Sequence, residues 1–414
     1  MTDTPSTETP VAGDSFEEFN RAMGADGDAT PYPAFRAARG ESPVHGGSAE
    51  FAHFEAVADG GLQIFTAYTY EAVHAVLGDG DTFSSAGYEE VMGVVMGRSI
   101  LMMDEPEHRA YRSLIQQAFT ATAMVRWKVD LVEPLVHAMV DGLAADGNGH
   151  ADLVRQLTFP FPVQVIADLL GLPAADLPEF HRLAVELIGV SVDWDRAVAA
   201  SEKLRQYFCG LVAERRHQPT EDMISVLAHV EHQGQQLTDD EICAFLRLLL
   251  PAGAETTYRS SSNLLFGLLT HPDQLEAVLA DRSLLPQAIE EGIRWEPPLL
   301  IIIRTATRDT EVCGTPIPRG ATVICNMGSA NHDETRWPDA EHFDIFRERR
   351  PHIGFAHGPH MCLGMHLARM ETAVVVNAVL DRLPATLRLD PEAGEQYISG
   401  VTFRAPPALK VIWD

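Results

Sequence analysis

The stretch Phe355-Ala356-His357-Gly358-Pro359-His360-Met361-Cys362-Leu363-Gly364-Met365-His366-Leu367-Ala368-Arg369 constrains this chain more than any other. Glycine and proline dominate its first half and helix formers its second. It reads as a rigid loop that delivers Cys362 to the N-terminus of a helix running to about Leu383. A cysteine there meets the positive end of the helix dipole and unpaired backbone N–H groups, both of which favour thiolate over thiol. Phe355, seven residues earlier, can fold over the sulfur and keep water away. A shielded thiolate with no partner cysteine nearby suits a haem iron. The plainer alternative is a free thiol packed as a small hydrophobe.

The rest of the chain sets the scale. At 414 residues and 46% hydrophobic content it can bury a large core. No Pro/Gly/Ser-rich linker or internal repeat divides it, so one large domain over 16–414 is expected, after a disordered, acidic tail at 1–15. The net charge of −28, from 31 basic and 59 acidic residues, argues against nucleic acid or an anionic membrane as partner. Cys209, Cys243, Cys313, Cys325 and Cys362 are an odd set without a C-x-x-C pair, which supports neither a disulfide framework nor a zinc site and suits a reducing compartment. The N-terminus is neither signal peptide nor anchor, and no stretch approaches the roughly 18 apolar residues of a spanning helix. The expectation is a soluble, cytoplasmic protein.

Apolar residues recur three and four apart from about Glu105 to Leu285, as at Leu131, Leu135 and Met139, so this span is expected to be helical. Tyr70 to Leu77 reads as a further helix, and Leu62 to Phe65 as a strand. After Trp295-Glu296-Pro297-Pro298, the segments Glu311–Gly314 and Ala321–Ile324 flank Pro318-Arg319-Gly320 and read as short strands. Another strand-rich patch lies near Tyr397 to Ile412. The fold class is mainly α with small β-sheets.

A second stretch, Leu248-Leu249-Leu250-Pro251-Ala252-Gly253-Ala254-Glu255-Thr256-Thr257, lies in a long apolar helix expected from Asp239 to Thr270. Pro251 cannot donate to the carbonyl of Arg247, so the helix should loosen there. Into that weak point come Glu255 and Thr256, a carboxylic acid and a hydroxyl on a greasy helix, and such groups need partners or a purpose. One reading is a kink capped by its own threonine.

Taken together these stretches resemble the cytochrome P-450 family. Phe-x-x-Gly-x-His-x-Cys-x-Gly followed by Ala-Arg resembles its haem-ligand loop, with one departure, Ala356 where the family has glycine after the Phe. The similarity runs from roughly Thr66 to the end. It implies the cytochrome P-450 fold, haem b as cofactor and Cys362 as iron ligand, with Phe355 and Gly364 beside it. Ala252-Gly253-x-Glu255-Thr256 resembles the family's distal element. It implies that Ala252 and Gly253 leave room for dioxygen and substrate, that Thr256 holds an oxygen and an ordered water, and that Glu255 relays protons. Relatives driven by peroxide, and isomerising ones, tend to lack this acid–alcohol pair, and a non-catalytic haem sensor has no need of it, so a monooxygenase is expected.

The resemblance further implies that His108 and Arg112, at i and i+4 on one helix face, pair with the haem carboxylates together with Arg304 and His360. Glu291-Gly292-Ile293-Arg294 matches the family's Glu-x-x-Arg, with Arg347 as third member of a structural ion-pair trio. Arg109, Arg349 and Arg350, for which the sequence offers no internal partner, read either as solvated arginines or as a docking patch for an acidic electron donor. Without a flavin- or nicotinamide-binding glycine motif, electrons are expected from separate proteins, which the resemblance to soluble bacterial members implies to be a ferredoxin and ferredoxin reductase. Pocket residues are expected from Gly87–Leu101 (Val95 and Met96), Leu299–Ile303 (Leu300, Ile301, Ile302) and Ile398–Phe403 (Val401, Thr402), under a helical lid from Leu177 to Arg215 with Trp194 near its turn. These apolar stretches imply a terpenoid, steroid, fatty acid or aromatic substrate, and do not select among them.

Overall fold

The computed structural model describes residues 30–47, 63–146, 148–191 and 193–414. The expected tail at 1–15 lies outside the described residues. The helices that frame the site are α1 (Tyr70–Gly78), α2 (Tyr88–Met96), α3 (Glu107–Ile115), α4 (Pro160–Leu169), α5 (Leu177–Ile188), α6 (Trp194–His217), α7 (Asp239–Leu249), α8 (Thr256–Thr270), α9 (Leu285–Trp295) and α10 (Met365–Arg382). The span from Glu105 to Leu285 is helical apart from a strand at His150–Asp152 and the small hairpin Glu231–His232/Gln235–Gln236.

The centre of the molecule is the interrupted rod α7–α8. Thr238 starts it with a reciprocal cap: its hydroxyl accepts from the Glu241 N–H while the Glu241 carboxylate accepts from the Thr238 N–H. Leu250–Glu255 then adopts a π-helical turn, with Pro251 at its start. The wider register absorbs the hydrogen bond that proline cannot make, which is the local loosening expected there. Beyond it α8 is buried nearly all round, and α9 and α10 pack against it.

A five-stranded sheet forms the second layer, in the order β1 (Val44–Gly46), β2 (Ile64–Ala67), β5 (Thr322–Asn326), β4 (Ile301–Ala306) and β3 (Phe83–Ser84). β5 pairs parallel to β2 and antiparallel to β4, with Val323 opposite both Phe65 and Arg304. The strands expected around Pro318-Arg319-Gly320 are arranged differently. Thr310–Val312 pairs with Thr315–Ile317 through a two-residue turn, while β5 leaves that hairpin for the main sheet. Cys313 (φ 47°) and Gly314 (φ 85°) both hold positive φ, the backbone of a tight hairpin turn that a cysteine does not announce. Near the C-terminus, Lys410–Ile412 joins His150–Asp152 and Arg388–Leu389 in a three-stranded sheet.

Candidate active site

The loop before α10 is held from both sides. The Cys362 N–H donates to the Phe355 carbonyl at 2.9 Å, closing the loop on itself. A side chain on Gly358 (φ 75°) would collide with the Leu77 carbonyl at the end of α1, so only glycine fits there. Ala356 occupies the left-handed region at φ 59°, the conformation for which glycine is the natural residue. Phe355 lies beneath the Arg369 guanidinium, 4.5 Å from its ring centre. Burial pushes the Cys362 thiol above its ordinary value, opposed by the Gly364 N–H and by the Arg112 and Arg369 charges. Desolvation of the sulfur thus opposes the helix terminus, and a cation bound there would favour the thiolate.

On one flank of the loop four basic side chains converge. The His108 and His360 rings lie 4.0 Å apart. His108 is 1% exposed, and neither ring nitrogen has a hydrogen-bond partner; the Glu105 carboxylate stands 3.5 Å from Nδ1. Burial lowers both imidazoles, His360 to about 3, and the Arg304 and Arg112 charges lower them further. Arg112 donates to the Met361 carbonyl at 2.7 Å, and Arg304, buried on β4, donates to the Ile303 carbonyl at 2.7 Å. Among the described residues no carboxylate is hydrogen-bonded to either guanidinium, and with the unsatisfied nitrogens of buried His108 they form a cradle suited to an anion.

The second group of site residues lies at the π turn of the central rod. Ala252 is exposed although the helix on both sides of it is buried, so the turn opens onto accessible space. Gly253 does not share that face; a Cβ there would meet Ile166 of α4 at 3.4 Å. Thr256 donates its hydroxyl proton to the Ala252 carbonyl at 2.8 Å. Glu255 is 2% exposed and paired with Arg259 at 3.0 Å; burial nevertheless raises its carboxyl to about 7.

Glu291, Arg294 and Arg347 meet as the sequence suggests. Arg294 grips Glu291 with two bonds of 2.7 Å and donates to the Asn331, Ala340 and His342 carbonyls; Arg347 approaches the same carboxylate at 3.4 Å.

The expected pocket wall is corrected in part. Val95, Met96 and Leu300 have no accessible surface and Ile301 only 3%, so all four are core residues. Ile302 and Thr402 stay partly accessible and Val401 is exposed; on α2 the accessible neighbour is Val94. The helical pair expected as a lid forms α5 and α6, with Trp194 at the first turn of α6. The basic patch is weaker than its sequence: Arg109 pairs with Glu105 at 3.1 Å and Arg350 with Glu348 at 2.8 Å, while Arg349 meets only the neutral Gln287.

Sequence reasoning missed Arg259, the counter-ion of Glu255, although its i+4 spacing was visible. It also missed Glu371 on α10, fully buried, raised to about 8 by desolvation and bonded to Thr257 at 3.3 Å. No one-dimensional signal pairs residues so far apart.

Haem b, an iron with two carboxylates, suits both the half-buried Cys362 sulfur and the basic cradle. Among the described residues, nothing beyond Gly364 and its two chain neighbours lies within 4 Å of a Cβ built on Gly364, two residues after the sulfur. The molecule is in class a haem-thiolate protein.

The comparisons agree. The family model for cytochrome P450 matches residues 187–399. Cytochrome P450 monooxygenase PikC of Streptomyces venezuelae is 33% identical, over 95% of this chain and 93% of its own length. A steroid C26-monooxygenase of Mycolicibacterium smegmatis is 36% identical over 79% of this chain and 82% of its own. The structure of CYP109E1 from Bacillus megaterium in complex with testosterone superposes with a TM-score of 0.81 at 30% identity, covering 93% of this chain and 99% of that one. The chain belongs to the cytochrome P450 family; it is a P450 monooxygenase with haem b as its cofactor. Among the described residues no helix is long and apolar enough to cross a membrane.

Proposed function

We propose that this monooxygenase hydroxylates a steroid- or terpenoid-sized hydrophobic molecule, with electrons delivered by a ferredoxin and its reductase. The observation that carries the reading is the acid–alcohol pair Glu255/Thr256 at a π turn that opens the central helix onto accessible space. Cys362 is the residue to hold the iron, and His108, Arg112, Arg304 and His360 the residues to hold the carboxylates. When bound, haem supplies dioxygen activation, to which the thiolate contributes electron density. Thr256, its proton committed to the Ala252 carbonyl, presents lone pairs and so serves as an acceptor that orients a water. Glu255, raised to about 7, exchanges its proton readily at neutral pH, with Arg259 stabilising the carboxylate left behind. Apolar surface at Ile302, Val94 and Val401 supports a hydrophobic substrate. The testosterone complex of one relative and the steroid activity named for another support that size class. Arg349, whose hydrogen bond goes to the neutral Gln287, supports an acidic electron donor on the side of the cysteine loop.

Visible absorption of the ferric protein titrated with steroids, terpenoids, fatty acids and aromatics tests this. A low- to high-spin shift with steroids or terpenoids, followed by NADPH-dependent hydroxylation with ferredoxin and reductase, is expected. Equal product from peroxide alone would favour a peroxide-driven enzyme instead.

A further inference from the structure

Two cysteines that the haem site does not use stand against each other in the roof. Cys209 lies on α6 and Cys243 on α7, and their sulfurs are 2.7 Å apart. That is close for two thiols and beyond the about 2.05 Å of a formed disulfide. Cys243 is fully buried and Cys209 partly accessible, so one of the two can be reached from outside. Arg205 lies one turn before Cys209, and Arg247, one turn after Cys243, favours the charged form of Cys243 while Asp240 and burial act against it. The polar contact beside them joins the same helices: Ser201 of α6 bonds to the Val95 carbonyl of α2, and Arg247 of α7 donates to that carbonyl and to the Ser201 hydroxyl at 3.1 Å. At the other end of the contact Arg216 of α6 pairs with Asp239 of α7 at 2.6 Å. Between them both helices give apolar side chains to the core, Leu204 and Phe208 from α6 and Phe245 from α7.

We propose that Cys209 and Cys243 are a thiol pair that a low-molecular-weight disulfide oxidises to a Cys209–Cys243 disulfide, latching the lid helix α6 onto the central rod. The reaction balances as two exchanges. The Cys209 thiolate attacks the small disulfide, forming a mixed disulfide and releasing one thiol, which takes up the proton. The Cys243 sulfur, deprotonated as it attacks Cys209, then displaces the second small thiol. Two protein thiols are oxidised and one external disulfide is reduced. Burial holds the Cys243 thiol far above its ordinary value, so the second exchange is the slower one. Packing as small hydrophobes is the competing account, and it requires no reaction.

The test uses the haem-loaded full chain carrying Cys313→Ser, which removes the exposed thiol, with and without Cys209→Ser. Protein is incubated with oxidised glutathione and digested without reductant, and 4-phenylimidazole association is followed in parallel by stopped flow. Expected are a mass loss of two hydrogens, a peptide linking Cys209 to Cys243, a several-fold slower association, and reversal of all three by dithiothreitol. The Cys209→Ser protein should show none of them. A stable glutathione adduct on Cys209, or unchanged thiols, overturns the pair. A cross-link with unchanged association overturns the latch. The covalent readout does not depend on the substrate, so it stands or falls apart from the hydroxylation proposed above.

Discussion

Glu291 with Arg294 on α9, and Glu255 with Arg259 at the π turn and start of α8, are both buried glutamate–arginine pairs one helical turn apart, on helices that pack together. Their surroundings separate them. The first is bidentate, the carboxylate takes a further bond from the Asp344 N–H at 3.0 Å, Arg347 approaches it, and Arg294 donates to three carbonyls. The second is joined by a bond of 3.0 Å, its guanidinium lies over the Tyr258 and Phe403 rings, and burial lifts its carboxyl to about 7. A buried pair whose carboxylate takes several hydrogen bonds is a clamp. One whose carboxyl is raised by desolvation is poised to change its protonation. The clamp fixes the segment between Asn331 and Arg347 that leads into the cysteine loop, and the raised pair lies beside Thr256.

Arg294→Ala should have the largest effect, because it strands the Glu291 carboxylate in the core at a cost of about 3–5 kcal/mol. The expected outcome is a chain with little haem by Soret-to-280-nm ratio and an early urea transition. Normal haem content would show that the clamp is dispensable and that the two pairs differ less than their geometry.

Glu255→Gln should instead leave the urea transition close to wild type and lower product formed per NADPH about a hundredfold, within the range for a lost proton-transfer group. If its stability falls as far as that of Arg294→Ala, the distal pair is a second clamp and the comparison collapses. The pH dependence sharpens the same point. A carboxyl whose folded value is raised stabilises the protein below its ordinary value, near 4.5, and that stability is lost as pH climbs to about 7. Wild type should lose about 2 kcal/mol between about pH 5.5 and 7 from this group. Glu255→Gln should lack that part of the slope in urea titrations at each pH, while Glu371, raised to about 8, carries its own share in both proteins.

What was legible in one dimension follows the same division. Periodicity, proline and capping signals are local, so the interrupted rod Asp239–Thr270 and the helix after Cys362 were readable nearly to the residue. The trio Glu291, Arg294 and Arg347 was readable because two members share a helix face and a family motif marks them. At Cys362 the helix terminus is visible in sequence, whereas the desolvation that opposes ionisation of its sulfur is not. Val95, Met96, Leu300 and Ile301 were misplaced for a related reason: an apolar run beside a cavity and one inside a core have the same composition. Glu371 against Thr257 and Cys209 against Cys243 are pairings that only the fold creates.

The smallest expected effect concerns the loop that the clamp supports. Ala356 holds φ 59°, where a Cβ crowds the following carbonyl and costs roughly 1–2 kcal/mol. Its N–H bonds to the Ile353 carbonyl at 2.8 Å, which keeps the residue there in spite of the strain. Glycine would remove the strain and add backbone freedom to the unfolded chain, and the two partly cancel. Ala356→Gly should therefore raise the urea midpoint by an amount worth about 0.5–1 kcal/mol, with haem content unchanged. Combined with Arg294→Ala, the gain should shrink if the clamp is what forces Ala356 into this conformation, because the unclamped loop can relax without help from glycine. An undiminished gain in the double variant would locate the strain in the loop's own hydrogen bonds, from Ala356 to Ile353 and from Cys362 to Phe355.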